Sequence, residues 1–553
     1  MVVNRRLRGG RVLLAAIALA IAGGCGPGPQ SPDADAEAVS AEREAPAEVV
    51  LRRANGPEPD TLDPQRAEDE TSREIIRDLY EGLVGETASG DLVPGAAESW
   101  EVSPDGLEWT FVLRPDGRWS NGEPVIAADF VAGLRRAVDP ATANSSASLL
   151  APLAGALEII AGDRPPAALG ADALDDRRLV LRLNSPTPYL LGLLTHPVTF
   201  PAHGPSLVEH GAQFARPGRQ VSNGAYRLDE WVVQSHVQLR RNTYFRERPQ
   251  IDVVRYYTFD TPEAALNRYR AGELDLTVQF PMARFQWLRE NLPDELHTAP
   301  ALSTQFWLFN TVRAPTDDLR VREALAMAVD RDKITSLVTG LGDHPAYGLV
   351  PPGVANYSAQ SFPWHDWPMA ERVAQARARL AEAGYGPQRP LRVEVHYNTD
   401  ENLRRVVAAV ASMWREHLDV EATLYNEEFR VMLNRRKQPD AWQILRLAWR
   451  GDYNDASNFL EALSVNGAVS DTGFDDPEYE RLLAAAAAEN DPAGRRALLE
   501  EAERRMLAQY PILPIYHPVG KILIKPWVTG FAPNVLARNY SRHLSIDVAH
   551  RGY

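Results

Sequence analysis

Apolar and polar positions alternate two by two in several short runs of the chain. Leu107–Arg114 (LEWTFVLR) and Arg178–Leu183 (RLVLRL) follow this period, and each predicts a strand. Within Val221–Arg241, the turn Ser222-Asn223-Gly224 precedes a strand-like run over Val232–Leu239. Elsewhere the apolar positions recur at helical spacing. Glu371–Ala383 (ERVAQARARLAEA) predicts an amphipathic helix closed by Gly384. Pro492–Gln509 places Leu498, Leu499, Ala502, Met506 and Leu507 on one face and charges opposite, a helix expected to pack on a core. Three helix starts carry a capping oxygen followed by Pro: Thr261-Pro262, Asp476-Pro477 and Asp491-Pro492. The ring nitrogen costs nothing at the first helical position, where the N–H has no partner. Strands and helices alternate from Val49 onward without repeats, so the pattern predicts α/β lobes and argues against an all-β sandwich.

Composition then narrows the class. The 553 residues, 44% of them hydrophobic, can bury several cores. Asp plus Glu number 74 against 59 Lys plus Arg, a net charge of −15, which argues against general binding to nucleic acid. One cysteine excludes an intramolecular disulfide and a cysteine-based zinc or iron–sulfur site. That cysteine follows a basic head (Arg5, Arg6, Arg8, Arg11) and an apolar run, Val12–Ala22, too short to span a bilayer. This start reads as a secretory signal over residues 1–24. It resembles a bacterial lipoprotein signal, which implies acylation of Cys25, with Ala22 where a Leu is usual. Residues 25–48 are rich in Pro, Ala and acid, cannot form a core, and read as a flexible tether. A lipid at one end of that tether and a folded body at the other imply work at the outer side of a membrane.

Catalytic and metal signatures are missing: there is no GxSxG elbow, P-loop, HExxH or EF-hand loop. His365-Asp366, within Phe362–Trp367, reads as part of an aromatic surface loop and not as a metal site. The acid pairs Asp317-Asp318 and Glu427-Glu428 have no base or nucleophile beside them. A binding protein with no catalytic residue, cofactor or metal is the expectation, ahead of an enzyme.

Several blocks, in order, carry a resemblance. They are Glu58-Pro59-Asp60-Thr61-Leu62-Asp63-Pro64, Arg77-Asp78-Leu79-Tyr80-Glu81-Gly82-Leu83, Trp119-Ser120-Asn121-Gly122-Glu123-Pro124, Ser222-Asn223-Gly224-Ala225-Tyr226, Arg320-Val321-Arg322-Glu323-Ala324-Leu325 and Trp449-Arg450-Gly451-Asp452-Tyr453-Asn454. Together they resemble the extracellular solute-binding proteins of peptide ABC transporters, the dipeptide/oligopeptide/nickel family, nearest its oligopeptide branch. The resemblance implies an α/β fold of the type II periplasmic-binding-protein kind: two ligand-clasping lobes joined by a hinge, plus an extra lobe. Lobe I would comprise 49–80, 203–302 and 520–553, lobe II 81–202, and lobe III 303–519. It also implies a lipid-anchored monomer that captures short peptides in the periplasm or at the cell-surface side of the membrane. The cargo would pass to a permease driven by cytoplasmic ATPases.

Site residues follow from the same resemblance. Asp452 matches the acid that receives the ligand's amine, against the plainer reading that it merely shapes a turn with Asn454. Trp449 and its neighbouring backbone match a strand partner for the peptide, against a core Trp. Arg446 matches an Arg that holds the ligand carboxylate, against a structural ion pair. Glu68 and Gln279 match cleft-lining positions more loosely. A Lys and a His that help catch carboxylates align with Thr339 and Leu403, and a pocket Tyr aligns with Ser146. Arg450 stands where a small residue is common; it either replaces a lost cation or points to solvent. The alternatives are the same fold on a specialised solute (a cell-wall peptide, nickel chelate, sugar or haem), a peptide-binding chaperone or sensor, and a hydrolase.

Overall fold

The computed structural model describes residues 48–551. The signal segment 1–24, Cys25 and all but the last residue of the tether lie outside the described residues. No helix among the described residues is long and apolar enough to cross a membrane.

Three sheets organise the body. A seven-stranded mixed sheet runs in the order Leu296–Pro300, Val519–Ile524, Leu276–Thr277, Val50–Gly56, Val253–Thr258, His236–Arg241, Tyr226–Val232. A four-stranded antiparallel sheet is built from Ala97–Val102, Glu108–Leu113, Arg178–Arg182 and Ala171–Ala173. A six-stranded mixed sheet runs His344–Pro345, Ile512–His517, Ser303–Phe309, Ile444–Arg450, Arg392–Asn398, Glu421–Glu427. Helices cover these sheets, giving an α/β molecule of three lobes.

The cores show which lobes are one body. A single apolar cluster runs from Leu51 on the seven-stranded sheet to Phe111 and Leu181 on the four-stranded one, so the first two lobes share an interior. Buried and partly buried ion pairs reinforce the seam: Arg136–Asp63 at 2.5 Å, Arg246–Glu81 at 2.5 Å and Arg538–Glu86 at 2.6 Å. The third lobe has its own core, spanning Leu302 to Tyr516.

The chain passes between the seven- and six-stranded sheets at two adjacent places, Ala301-Leu302 and Pro518. The Ala301 N–H donates to the Pro518 carbonyl at 3.1 Å, and Pro300 pairs with Val519, so the crossings form one short two-stranded connection. Across the seam, Tyr189 stacks on Tyr453 with ring centroids 4.6 Å apart. Tyr453 is the only member of the shared first core that comes from the 303–519 stretch.

Local readings hold in most elements. Glu108–Leu113 and Arg178–Arg182 are strands, and Thr261, Asp476 and Asp491 each cap a helix with Pro at its start. The predicted helix over Glu371–Ala383 is Met369–Glu382, with Gly384 at φ +84° just beyond it.

Three differences have identifiable causes. The run Val232–Leu239 is split between two hairpin strands, because Gln234 turns the chain with φ +57°. Helix Pro492–Gln509 buries Arg495 and Glu503 along with Leu499, Ala502, Met506 and Leu507. Glu503 is needed inside as an acceptor: its Oε1 takes the N–H groups of Leu349 and Val350 at 2.6 and 2.9 Å. Burial pushes its carboxyl up to about 7, partly offset by the Tyr357 hydroxyl and those N–H groups. The aromatic segment at 362–367 is also not simply surface. Phe362 and Trp364 are buried and stacked at 4.8 Å, Phe362 stacks in turn on Tyr510, and Pro363, His365, Asp366 and Trp367 face solvent.

Candidate functional site

The strand Ile444–Arg450 sets the geometry. Its odd-numbered residues Leu445, Leu447 and Trp449 contribute to the third-lobe core, while Arg446, Ala448 and Arg450 share the opposite face. One edge is fully paired to Ser303–Phe309, from Ser303↔Arg450 to Phe309↔Ile444. The other edge meets Arg392–Asn398 only at Val395↔Ile444 and His396↔Leu445. Beyond Leu445 that second edge has no strand partner among the described residues.

The Gly451 N–H donates to the Leu302 carbonyl at 2.8 Å, which fixes the phase of the ladder. Trp449's N–H and C=O therefore face Thr304, and those of Ala448 and Arg450 face the open edge. Gly451 is required for this approach, since a Cβ there would lie 2.6 Å from Leu302 Cδ2. Trp449's ring is half-buried against the core, and its Nε1 donates to Asn458 at 2.9 Å.

Asp452 follows immediately, in the turn leaving this strand. Its side chain is exposed, and its carbonyl accepts from Arg538 at 3.1 Å. Loss of hydration among the surrounding walls raises its carboxyl above the usual range; the charges of Arg73, Arg538 and Arg450 and the Asn458 amide oppose this. Asn454 shapes the next step: its Oδ1 accepts the Ala355 N–H at 3.0 Å.

Arg450 is exposed and its side chain forms no hydrogen bond or salt bridge among the described residues; it lies within electrostatic reach of Asp452 and of Glu70 on the first lobe. Glu70 sits in helix Glu70–Leu79, 2.7 Å from Arg77. Desolvation works against its charge, but Arg77 first, then Arg450 and Arg73, hold it down at about 2.

Arg446 donates to Asn398 Oδ1 at 3.0 Å and to Gln305 Oε1. Both partners are neutral amides, no carboxylate pairs with it among the described residues, and its buried Nε has no partner. Desolvation lowers its pKa, opposed by Tyr516 and Asp400. Arg446 thus forms no salt bridge among the described residues, and Asp400 acts on it only through its charge.

The two looser positions stand apart from this strand. Gln279 lies on the first lobe over Gly56, its amide nitrogen 3.1 Å from where a Gly56 Cβ would sit. Glu68 is exposed and lines a hollow of about 300 Å³ with Asp139, Asn144 and Ser145, next to Ser146. Arg73 links the regions: it donates to the Glu68 carbonyl at 2.7 Å and is within electrostatic reach of Asp452.

A gap of about 840 Å³ opens between Pro281–Gln286 of the first lobe and Thr339–Leu341 and Glu401–Arg405 of the third. Sequence reasoning missed Arg73, Arg538 and Arg405. The first two have no local signature, because their relation to Asp452 is made by the fold. Arg405 is visible only as a cation in the first turns of a capped helix.

Two lobes with separate cores, a short double connection and a charged gap between them define a hinged ligand-binding protein. The chain belongs to the bacterial extracellular solute-binding proteins, family 5, whose middle-region model matches residues 91–471. It is 37% identical to the periplasmic oligopeptide-binding protein OppA of Escherichia coli over 90% of this chain and 92% of that one. Among solved structures it is similar to the unliganded open form of MppA, a periplasmic murein tripeptide binding protein (TM-score 0.84, 37% identity, 90% of this chain and 97% of that one). It is also similar to Haemophilus influenzae OppA in complex with the peptide RPPGFSPFR (TM-score 0.71, 34% identity, 90% and 99%). At comparable identity the likeness is greater to the open form, in keeping with the gap between the lobes.

Proposed function

We propose that this chain is the substrate-binding receptor of a peptide ABC transporter. It captures short peptides outside the cytoplasmic membrane and delivers them to a permease powered by cytoplasmic ATPases. In this reading it acts as a lipid-anchored monomer tethered through Cys25, and it binds its cargo without cleaving it.

The observation that carries the reading is the open edge of Ile444–Arg450. It offers the backbone groups of Ala448 and Arg450, with exposed Asp452 at one end and Arg446, without an acid partner, at the other. A peptide has the matching parts: an extended backbone, an ammonium and a carboxylate. Backbone pairing recognises any sequence, while the ends fix register. At about 3.3 Å per residue, Arg446 and Asp452 are on the order of 20 Å apart along the edge, which suits roughly two to five residues after side-chain reach is subtracted. The names of the relatives, an oligopeptide-binding protein and a peptide-bound structure, support the same cargo.

The test is calorimetric titration of wild type and Asp452→Asn with a tripeptide and its N-acetyl form. Wild type should bind the free-amine peptide and discriminate against the acetylated one. Asp452→Asn should lose about 2–3 kcal/mol for the free amine, roughly 30- to 150-fold, and little for the acetylated form. Equal affinity of both proteins for the free-amine peptide would refute the role of Asp452.

A further inference from the structure

Arg538 joins parts of the chain that lie far apart in sequence. Its Nη1 donates to Glu86 Oε1 at 2.6 Å and to Thr195 Oγ1 at 2.8 Å, both in the body formed by the first two lobes. Its Nη2 donates to the carbonyl of Asp452, on the third lobe, at 3.1 Å. Arg538 and Glu86 are both buried, so the pair is charge-assisted and shielded from water.

Local structure presents this side chain. Asn534 Oδ1 accepts the Arg538 N–H at 3.1 Å, and its Nδ2 donates to the Arg538 carbonyl at 2.8 Å and to the Ala88 carbonyl at 3.2 Å. Ala537, inside that turn, has φ +53°, a left-handed conformation that costs energy for a residue with a Cβ. The same segment runs beside the crossing between the lobes. The Leu302 N–H donates to the Val535 carbonyl, and the Leu302 carbonyl accepts the Gly451 N–H, each at 2.8 Å. Val535 and Leu536 pack against the third-lobe core. Asp452 therefore follows a residue already bonded to the crossing, and Arg538 ties down its carbonyl.

Arg538 also acts on the Asp452 carboxylate. Loss of hydration raises that carboxyl, opposed by Arg73 of helix Glu70–Leu79, Arg538, the Asn458 amide and Arg450. His196, near Arg73 and Arg538, is kept neutral by burial first and by their charges second.

We infer that Arg538 is a positioning residue for peptide recognition: by bridging Glu86 and Thr195 to the Asp452 carbonyl, it holds the Asp452 carboxylate at the hinge end of the open edge, where it receives the ligand's ammonium. This rests on the peptide-binding reading. The competing role is a clamp that only stabilises the fold.

The experiment titrates the full chain and two variants with trialanine and N-acetyl-trialanine by calorimetry, from about pH 4 to about pH 7, where the peptide amine stays protonated. Arg538→Gln alone would strand Glu86 as a buried charge, so it is combined with Glu86→Gln. Arg538→Lys keeps the charge beside Glu86 but not the second donor to Asp452. Asp452 takes an ammonium only when ionised, so affinity for the free amine falls as pH drops through its pKa. Removing the Arg538 charge raises that pKa and moves the fall to higher pH.

The double variant should lose roughly ten-fold of the wild-type preference for the free amine, with its acid-side fall shifted to higher pH and affinity for the acetylated form nearly unchanged. Arg538→Lys should lose roughly three-fold, with the fall where wild type has it. Thermal melts establish that each variant is folded; if the double variant is not, Arg538→Lys decides alone. A wild-type preference in the folded variants, or an equal loss for both peptides, overturns the role of Arg538 and leaves peptide binding standing. Binding of neither peptide by wild type overturns both readings.

Discussion

Asp452 and Arg450 are two residues apart, carry opposite charges and are both exposed, yet neither forms a salt bridge among the described residues. Two unpaired opposite charges in an open cleft are costly to bury unless a ligand or the opposite wall matches them on closure. Asp452 suits an ammonium. Arg450 lies within electrostatic reach of the first-lobe Glu70, which is already bonded to Arg77 through one oxygen and lies 3.8 Å from Arg73 through the other. Arg450→Ala should therefore weaken peptides bearing an acidic side chain more than neutral ones. Isothermal titration with paired peptides differing by one Glu-for-Gln exchange measures the difference, expected at about 1 kcal/mol. Unchanged affinity for every peptide would mean that Arg450 serves only through its backbone. Trp449 shows why such roles are only half legible in a sequence. Its block resembles a ligand-contacting motif, but the ladder phase turns its polar backbone groups toward Thr304 and its ring toward the core. That phase depends on Gly451 meeting Leu302, a contact between residues far apart in the chain.

At the scale of elements, the strands Glu108–Leu113 and Arg178–Arg182 are readable from their alternation, and the Pro-capped helices are readable because their signals are local. What the pattern cannot carry is which edge of a strand is left open, since that depends on where a neighbouring strand stops. Arg392–Asn398 pairs only as far as Leu445, and the free run of backbone begins there. Glu503 escapes the pattern for a similar reason: its acceptors' partners, the Leu349 and Val350 N–H groups, come from a loop some 150 residues earlier. The open edge makes a prediction that leaves the protein unaltered. A tripeptide with its central amide N-methylated loses one donor to this edge and cannot lie flat against it. Its affinity should fall by about 1–3 kcal/mol relative to the parent peptide, measured by competition against a fluorescent peptide. Equal affinity would show that the ends alone hold the ligand.

For the whole molecule, the division of cores decides what can move. The first two lobes share an apolar interior and buried and partly buried ion pairs, so parting them would expose both; the third lobe has a separate core and is joined by Ala301-Leu302 and Pro518. The soft coordinate is rotation of the third lobe against the other two. The Tyr189–Tyr453 stack lies on that seam, directly beside Asp452, and pins one side of it. Ligand that touches both walls has higher affinity for the closed arrangement and shifts the population toward it. Saturating peptide should therefore reduce the radius of gyration in X-ray scattering and raise thermal stability, by about 2.7 kcal/mol at a hundred-fold excess over Kd. Tyr453→Ala removes the stack while leaving both connecting strands intact. If the stack sets the axis of closure, this variant should still bind peptide through Asp452 but show a smaller change in scattering. If closure is guided by the two crossings alone, the scattering change will match wild type.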